Sequence, residues 1–331
     1  MAKYVVASRD MTLHEENGGR IRTVTGAVPV SAVTGPVLPH EHLRLDLRWP
    51  TRPALLASDP RRWLDEEKAV MVELSQLRAD RDLSLVVDLT CAGMGRSAPS
   101  LARVSAGSRV AVVAGTGVFT EPFHPDFVGD ADVERLAEHF LAEIGFGIDG
   151  TNALPGVIGE IGTWGEAPTE REERCLRAAA RAARYSGLPV ATCGRAGAAQ
   201  LDILTGAGLE PHRVAVGRQD LADDPAMPRK IAEAGAYVSF GSLGLAGEDP
   251  VALGARVRAV MELLEAGLAD RVLLSTGVSR MSHVRRYGGA GYGYLFEVFL
   301  PALRAAGADE DTLTRIVRDN PLRWLACADA A

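Results

Sequence analysis

A repeat of short apolar runs, each followed by a stretch of helical period, limits what this chain can fold into. The runs are Pro36-Val37-Leu38, Leu83 to Leu89, Arg109 to Val118, Pro155 to Ile161, Leu188 to Thr192, Arg213 to Gly217, Ala236 to Phe240 and Arg271 to Ser275. Most are Val-rich and nearly continuous in hydrophobicity, as parallel strands buried on both faces are. The clearest amphipathic stretches between them are Leu64 to Arg78, Val133 to Glu143, Glu170 to Tyr185, Ala226 to Ala234 and Ala252 to Leu268. Glycine punctuates several helix-to-strand joints, as in Ser186-Gly187-Leu188. Eight alternations predict an α/β fold, a (β/α)8 TIM barrel in one domain over residues 1–331. Residues 36–331 form the barrel and 1–35 an N-terminal extension, in which Thr23 to Pro36 reads as a short β-hairpin. A doubly wound open sheet also fits the alternation, but no Gly-x-Gly-x-x-Gly turn follows the first strand. Residues 45 to 63 are expected to loop over one mouth.

Composition narrows the function classes. With 47% hydrophobic and 24% charged residues and a net charge of -7, the chain has the balance of a folded globular protein. Basic residues are dispersed, so nucleic acid finds no electrostatic footprint. No apolar run reaches the roughly 20 residues a membrane span needs. The start, Met1 to Glu16, lacks a signal-peptide pattern. The four cysteines show no CxxC spacing, which excludes a zinc-finger site and argues against a disulfide framework. A cytoplasmic protein acting on a small molecule is the expectation.

In such a barrel, chemistry gathers at the carboxyl ends of the strands. The first strand ends in Pro39-His40-Glu41-His42, which puts two imidazoles on one face, suited to one metal or to two hydrogen-bonded histidines. The fourth ends in Gly159-Glu160-Ile161-Gly162, where a buried carboxylate needs a metal or a cation as partner.

These segments, with Thr23-Val24-Thr25-Gly26, Val87-Asp88-Leu89-Thr90, Gly115-Thr116-Gly117, Gly147-Ile148-Asp149-Gly150-Thr151, Tyr287-Gly288-Gly289 and Asn320-Pro321, resemble the phosphotriesterase-like branch of the amidohydrolase superfamily over essentially the whole chain. The resemblance implies two divalent metals at the barrel mouth. His-x-His of strand one and an Asp after strand eight would hold one. Histidines ending strands five and six would hold the other, and a carboxylate on strand four would bridge them. A homodimer is also implied, as a property of many family members.

The chain departs from that pattern. The strand-five position carries Cys193 and the strand-six position Arg218, while the strand-eight Ser-His-Asp reads Ser275-Thr276-Gly277. The strand-seven Phe-Asp reads Phe240-Gly241, and Phe119 replaces a Tyr after Gly-Thr-Gly. Arginine cannot ligate a divalent ion, and its charge beside one would cost about 4 kcal/mol for each unit of the ion's charge at an effective dielectric near 20. A second metal is therefore expected to be absent, with Arg218 pairing instead with Glu160 or turning outward to solvent.

The expected cofactor is none or one zinc, held by His40, His42 and Glu160 with Cys193 as a fourth ligand. Cys193 also reads as a nucleophile or as an inert filler. The candidate catalytic set is His40, His42, Glu160, Cys193, Arg218 and Asp220, with Asp220 expected on the same face as Arg218 and paired with it or with Arg195. Candidate substrate contacts are Phe119, His124, Tyr287 and Tyr292; His283 is a further, weaker ligand candidate. The leading expectation is a metal-independent biosynthetic step on a small molecule, driven by acid/base and electrostatic catalysis. The alternatives are a mononuclear zinc ester or lactone hydrolase and a non-catalytic ligand-binding pseudoenzyme.

Overall fold

The computed structural model describes residues 19–56, 62–247 and 249–326. All eight apolar runs become strands of one parallel sheet. They are β3 (Val37–Glu41), β6 (Leu85–Asp88), β7 (Ala111–Thr116), β8 (Val157–Gly162), β9 (Val190–Cys193), β10 (Val214–Val216), β11 (Tyr237–Phe240) and β12 (Val272–Leu274). They neighbour one another in chain order from β3 round to β12. The hairpin ahead of them is β1 (Arg20–Thr23) with β2 (Gly26–Pro29), antiparallel. It therefore begins at Arg20 rather than Thr23 and ends at Pro29, where Val30–Ala32 form a 3-10 turn. The mouth segment is more ordered than a plain loop: β4 (Leu45–Asp46) pairs antiparallel with β5 (Trp63–Leu64). Residues 57–61 of that segment lie outside the described residues.

The helices between strands are α1 (Glu67–Arg81), α2 (Ala98–Ser108), α3 (Val133–Phe146), α4 (Glu170–Ser186), α5 (Gly197–Gly206), α6 (Met227–Glu233) and α7 (Pro250–Glu265). Helix α4 shows why such segments start and stop where they do. Thr169 accepts from the Glu172 N–H while the Glu172 carboxylate accepts from the Thr169 N–H, a reciprocal cap. Gly187, at φ 76°, ends the helix in the left-handed region that glycine occupies without strain. None of the described helices is long and apolar enough to cross a membrane.

Period-two alternation divides the strands between two cores. Leu38, Val86 and Val112 face outward against the helices, while Val37, Leu85, Val87 and Val113 fill the barrel interior. Ile21 of the hairpin and Leu322, Trp324 and Leu325 of the C-terminal helix (Asn320–Leu325) join that interior core. Asn320 ties that helix down, donating from Nδ2 to the carbonyls of Ala269 and Val272. Apolar side chains thus fill the interior below, and the polar residues sit at the carboxyl end.

The seam between β12 and β3 is made largely by one side chain. Glu41 is fully buried, and its carboxylate accepts from Ser275 Oγ, Thr276 N–H, Thr276 Oγ1 and Val278 N–H at 2.6–2.9 Å. His40 N–H donates to Ser275 Oγ and His42 N–H to the Val278 carbonyl.

Candidate active site at the barrel mouth

Strict alternation from Val37 would point His40 out of the barrel. It points in because β3 carries an extra residue: Leu38 pairs with Val86, yet Glu41 pairs with Asp88. Strand β8 does the same, with Ile158 opposite Val190 and Ile161 opposite Thr192, and this turns Glu160 inward. Such bulges re-aim side chains next to functional sites. As a result His40 Nε2 lies 3.2 Å from Glu160 Oε1, and His42 Nε2 3.7 Å from Glu160 Oε2. All three side chains are buried.

The hydrogen-bond network assigns the His42 tautomer. Thr90 Oγ1 donates its single proton to the Arg44 carbonyl, so it accepts from His42 Nδ1–H at 3.0 Å. The His42 Nε2 lone pair then faces the Glu160 carboxylate with no proton between them. Two acceptors facing each other across a buried gap suit a cation. The ligand atoms of His40, His42 and Glu160 lie within 4.8 Å of one another, which fits one metal ion. Charges agree with this. Burial pulls the His42 pKa to about 3, keeping the ring neutral. Burial alone would raise Glu160, but His40 and His42 draw it down to about 2. At His40 burial opposes charge, yet Glu160, Glu41 and Asp220 outweigh it and hold the pKa up.

Cys193 and Arg218 line the same cavity, with Arg62 and Phe119. Cys193 is no member of the ligand cluster. Burial, and then the Glu160 carboxylate, push its thiol pKa far up, so the thiolate that would ligate or attack is disfavoured. Arg218 does not form the expected ion pair with Glu160; its guanidinium lies against Cys193, with Glu160 farther off.

Asp220 does not line the cavity that Arg218 faces, and its ion-pair neighbour is Arg256 rather than Arg218 or Arg195. Strand β10 ends at Val216, Arg218 takes a left-handed backbone at φ 58°, and Gln219–Leu221 form a 3-10 turn. The Asp220 side chain is buried behind the cavity lining, 3.7 Å from Arg256 Nε and close enough for its charge to act on Arg218 and His40, while Arg195 faces Asp223.

Of the expected substrate contacts, Phe119 alone lines the cavity. Tyr292 is fully buried and donates its O–H to the His42 carbonyl, a structural tether. Tyr287 is 43% exposed and stands outside the cavity. His283 does not line it either; it borders a larger groove of about 690 Å³ that shares Leu245 with it. His124 is buried, donating Nε2–H to the Phe119 carbonyl. Its Nδ1 has no hydrogen-bond partner.

Burial draws the His124 pKa to about 4, below the ordinary value of 6.5. The unfolded chain therefore takes up this proton first, and stability falls as pH drops from about 6.5 to about 4. This one group removes about 2 kcal/mol between pH 7.5 and pH 5. In denaturant melts, His124→Gln should flatten the pH slope by about that amount; an unchanged slope refutes the assignment.

Sequence reasoning missed Arg62 as a cavity residue. The Arg61-Arg62-Trp63 cluster in the mouth segment was the available signal. Burial, with the neighbouring guanidiniums of Arg218 and Arg280, draws its pKa below the usual value against the pull of Cys193 and Glu160.

Comparison with known proteins agrees with this geometry. Residues 19–325 match the Phosphotriesterase family. The chain belongs to the phosphotriesterase family. This family member is 34% identical over 294 residues to the phosphotriesterase homology protein of Escherichia coli (strain K12), covering 88% of this chain and 98% of that one. A crystal structure of that name, complexed with phosphate in the active site, superposes with a TM-score of 0.81 at 34% identity, over 88% of this chain and 99% of that one. A Resiniferatoxin-binding protein from Rhodobacter sphaeroides superposes at 0.83 with 31% identity, over 93% of this chain and 95% of that one. The N-acetyltaurine hydrolase of Homo sapiens is 27% identical over 345 residues, 93% of this chain and 98% of that one.

Proposed function

We propose that this phosphotriesterase-family chain is a mononuclear metal-dependent hydrolase of an ester, lactone or amide bond in a small molecule. The observation that carries this is the unprotonated face of His42 opposing Glu160, with His40 closing the set. A hydrolase among the relatives supports it. Nothing comparable supports a metal-independent biosynthetic step, and the relatives favour the hydrolytic reading. His40, His42 and Glu160 would hold the ion, which would supply Lewis acidity toward the scissile group's oxygen.

The chain's own residues set the geometry. Thr90 fixes the His42 ring, and the Glu41 seam fixes the backbone that carries both histidines. Gly241 leaves room for the His40 ring, because a Cβ there would stand 2.6 Å from His40 Nδ1. Phe119 and Leu245 wall the cavity against bulk water. A second ion does not fit, since Arg218 occupies that side and cannot ligate.

Elemental mass spectrometry on protein loaded with zinc and dialysed should give one zinc per chain. His40→Ala should leave less than a tenth of that and abolish turnover of esters, lactones and N-acyl amino acids. Two zincs per chain, or hydrolysis that survives a strong chelator, would defeat the proposal. Specific ligand binding with no product and no metal would favour a binding protein.

A further inference from the structure

The charges lining the central cavity do not balance. Arg62 and Arg218 both face it, and among the described residues Glu160 is the only carboxylate that lines it. Among the described residues, neither guanidinium has a carboxylate within ion-pair distance. Glu160 is engaged by His40 and His42. The strand-seven and strand-eight positions that could supply acids are Gly241 and Gly277. Ser242 and Ser279 add hydroxyl donors to the same lining. Two guanidiniums held together in a half-buried site repel unless an anion joins them. A bound divalent ion would deepen the excess of positive charge. The cavity, of about 50 Å³, holds roughly four water-sized groups at about 10–15 Å³ each. That is the scale of a carboxylate, phosphate or sulfonate head.

We propose that Arg62 and Arg218 form an oxyanion clamp, and that the substrate of the hydrolase proposed above carries a carboxylate, phosphate or sulfonate close to its scissile bond. Guanidinium N–H groups match such oxygens in planar, paired geometry, which a lysine could not copy. Arg218 thus recognises charge at the position where the resemblance implies a metal ligand.

The test uses binding, so it does not depend on finding the reaction. Isothermal titration of inorganic phosphate into the full-length protein is run with zinc bound and after chelation. Expected are 1:1 binding in both states and at least tenfold weaker binding in Arg62→Gln and in Arg218→Gln. The double variant should show no saturable binding. Arg195→Gln, whose side chain is 62% exposed, should bind as the wild type does. Thermal melts confirm that each variant is folded. Millimolar N-acetylglycine, which carries a carboxylate beside an amide, should displace the phosphate, and its methyl ester should not.

No saturable binding, or binding kept by the folded double variant, overturns the clamp. Binding that needs zinc and ignores both substitutions would place the anion on the metal, overturning the clamp while leaving the hydrolase reading. Arginine-dependent binding by a protein that never takes up zinc would do the reverse. Equal displacement by the methyl ester, or none by N-acetylglycine, would overturn the assignment to an anionic substrate.

Discussion

Glu41→Ala should destabilise the chain by about 4 kcal/mol or more, enough to unfold many domains of ordinary stability. The side chain is fully buried and takes four hydrogen bonds, two from backbone N–H groups of Thr276 and Val278. Alanine offers no acceptor. The two hydroxyls can turn elsewhere, but the two N–H groups cannot, and each orphaned buried donor costs about 1–3 kcal/mol. The space vacated adds a packing loss. Removing Glu41 also relieves the cost of burying a carboxylate, which holds its pKa up against those four bonds. That relief is the smaller effect because the donors remain behind. Glu41→Gln keeps one oxygen acceptor but points an amide N–H2 at other donors, so an intermediate loss is expected. Denaturant unfolding at pH 7.5 measures both. A loss below about 1 kcal/mol in the alanine variant would show that the seam is held elsewhere.

Gly277→Asp, which writes a carboxylate back into strand eight, should fail to restore a second metal and should cost about 3 kcal/mol or more. Gly277 has φ 70°, a region unfavourable to residues with a Cβ. A Cβ there would stand 2.3 Å from the Gly241 carbonyl oxygen and 2.9 Å from the Ser242 Cα. Both are backbone atoms, so the strand-seven loop must move as a unit, and such overpacking costs about 1–3 kcal/mol before the strain of a positive φ is added. The loop that would move is the one that leaves room for His40. Zinc per chain should stay at one or fall. A stable Gly277→Asp protein with two zincs would show that the loop yields easily and that Arg218 does not bar the second site.

The eight strands were legible because each is a continuous apolar run between turn residues. Helices α1, α3, α4, α6 and α7 were legible from their amphipathic period. Helices α2 and α5 were not. Ala98–Ser108 and Gly197–Gly206 are built from small residues and glycine, so their buried faces carry little hydrophobic contrast. The site was legible as a set of residue types. His40, His42, Glu160, Cys193 and Arg218 do meet in one cavity. Asp220 was misplaced because a left-handed residue and a 3-10 turn break the alternation assumed from strand β10. Tyr292 and His124 were misread because a polar aromatic in a mouth loop looks the same in sequence whether it faces ligand or is tethered to backbone.

By itself the sequence determined the barrel, its hairpin extension, the two histidines and the carboxylate at its mouth, and the arginine and glycine that stand where the family resemblance implies metal ligands. These follow from residue type and order, which local periodicity and ligand chemistry can read. The tertiary structure alone decided where those groups point. Bulges in β3 and β8 turn His40 and Glu160 inward, and a bulge is a matter of pairing between strands far apart in sequence. Thr90 sets the proton on His42 from 48 residues away. Glu41, between the two histidines, belongs to the seam because its hydrogen-bond donors arrive just after β12, more than 230 residues later. Arg62 reaches the cavity through the mouth segment and joins Arg218 only when the barrel closes.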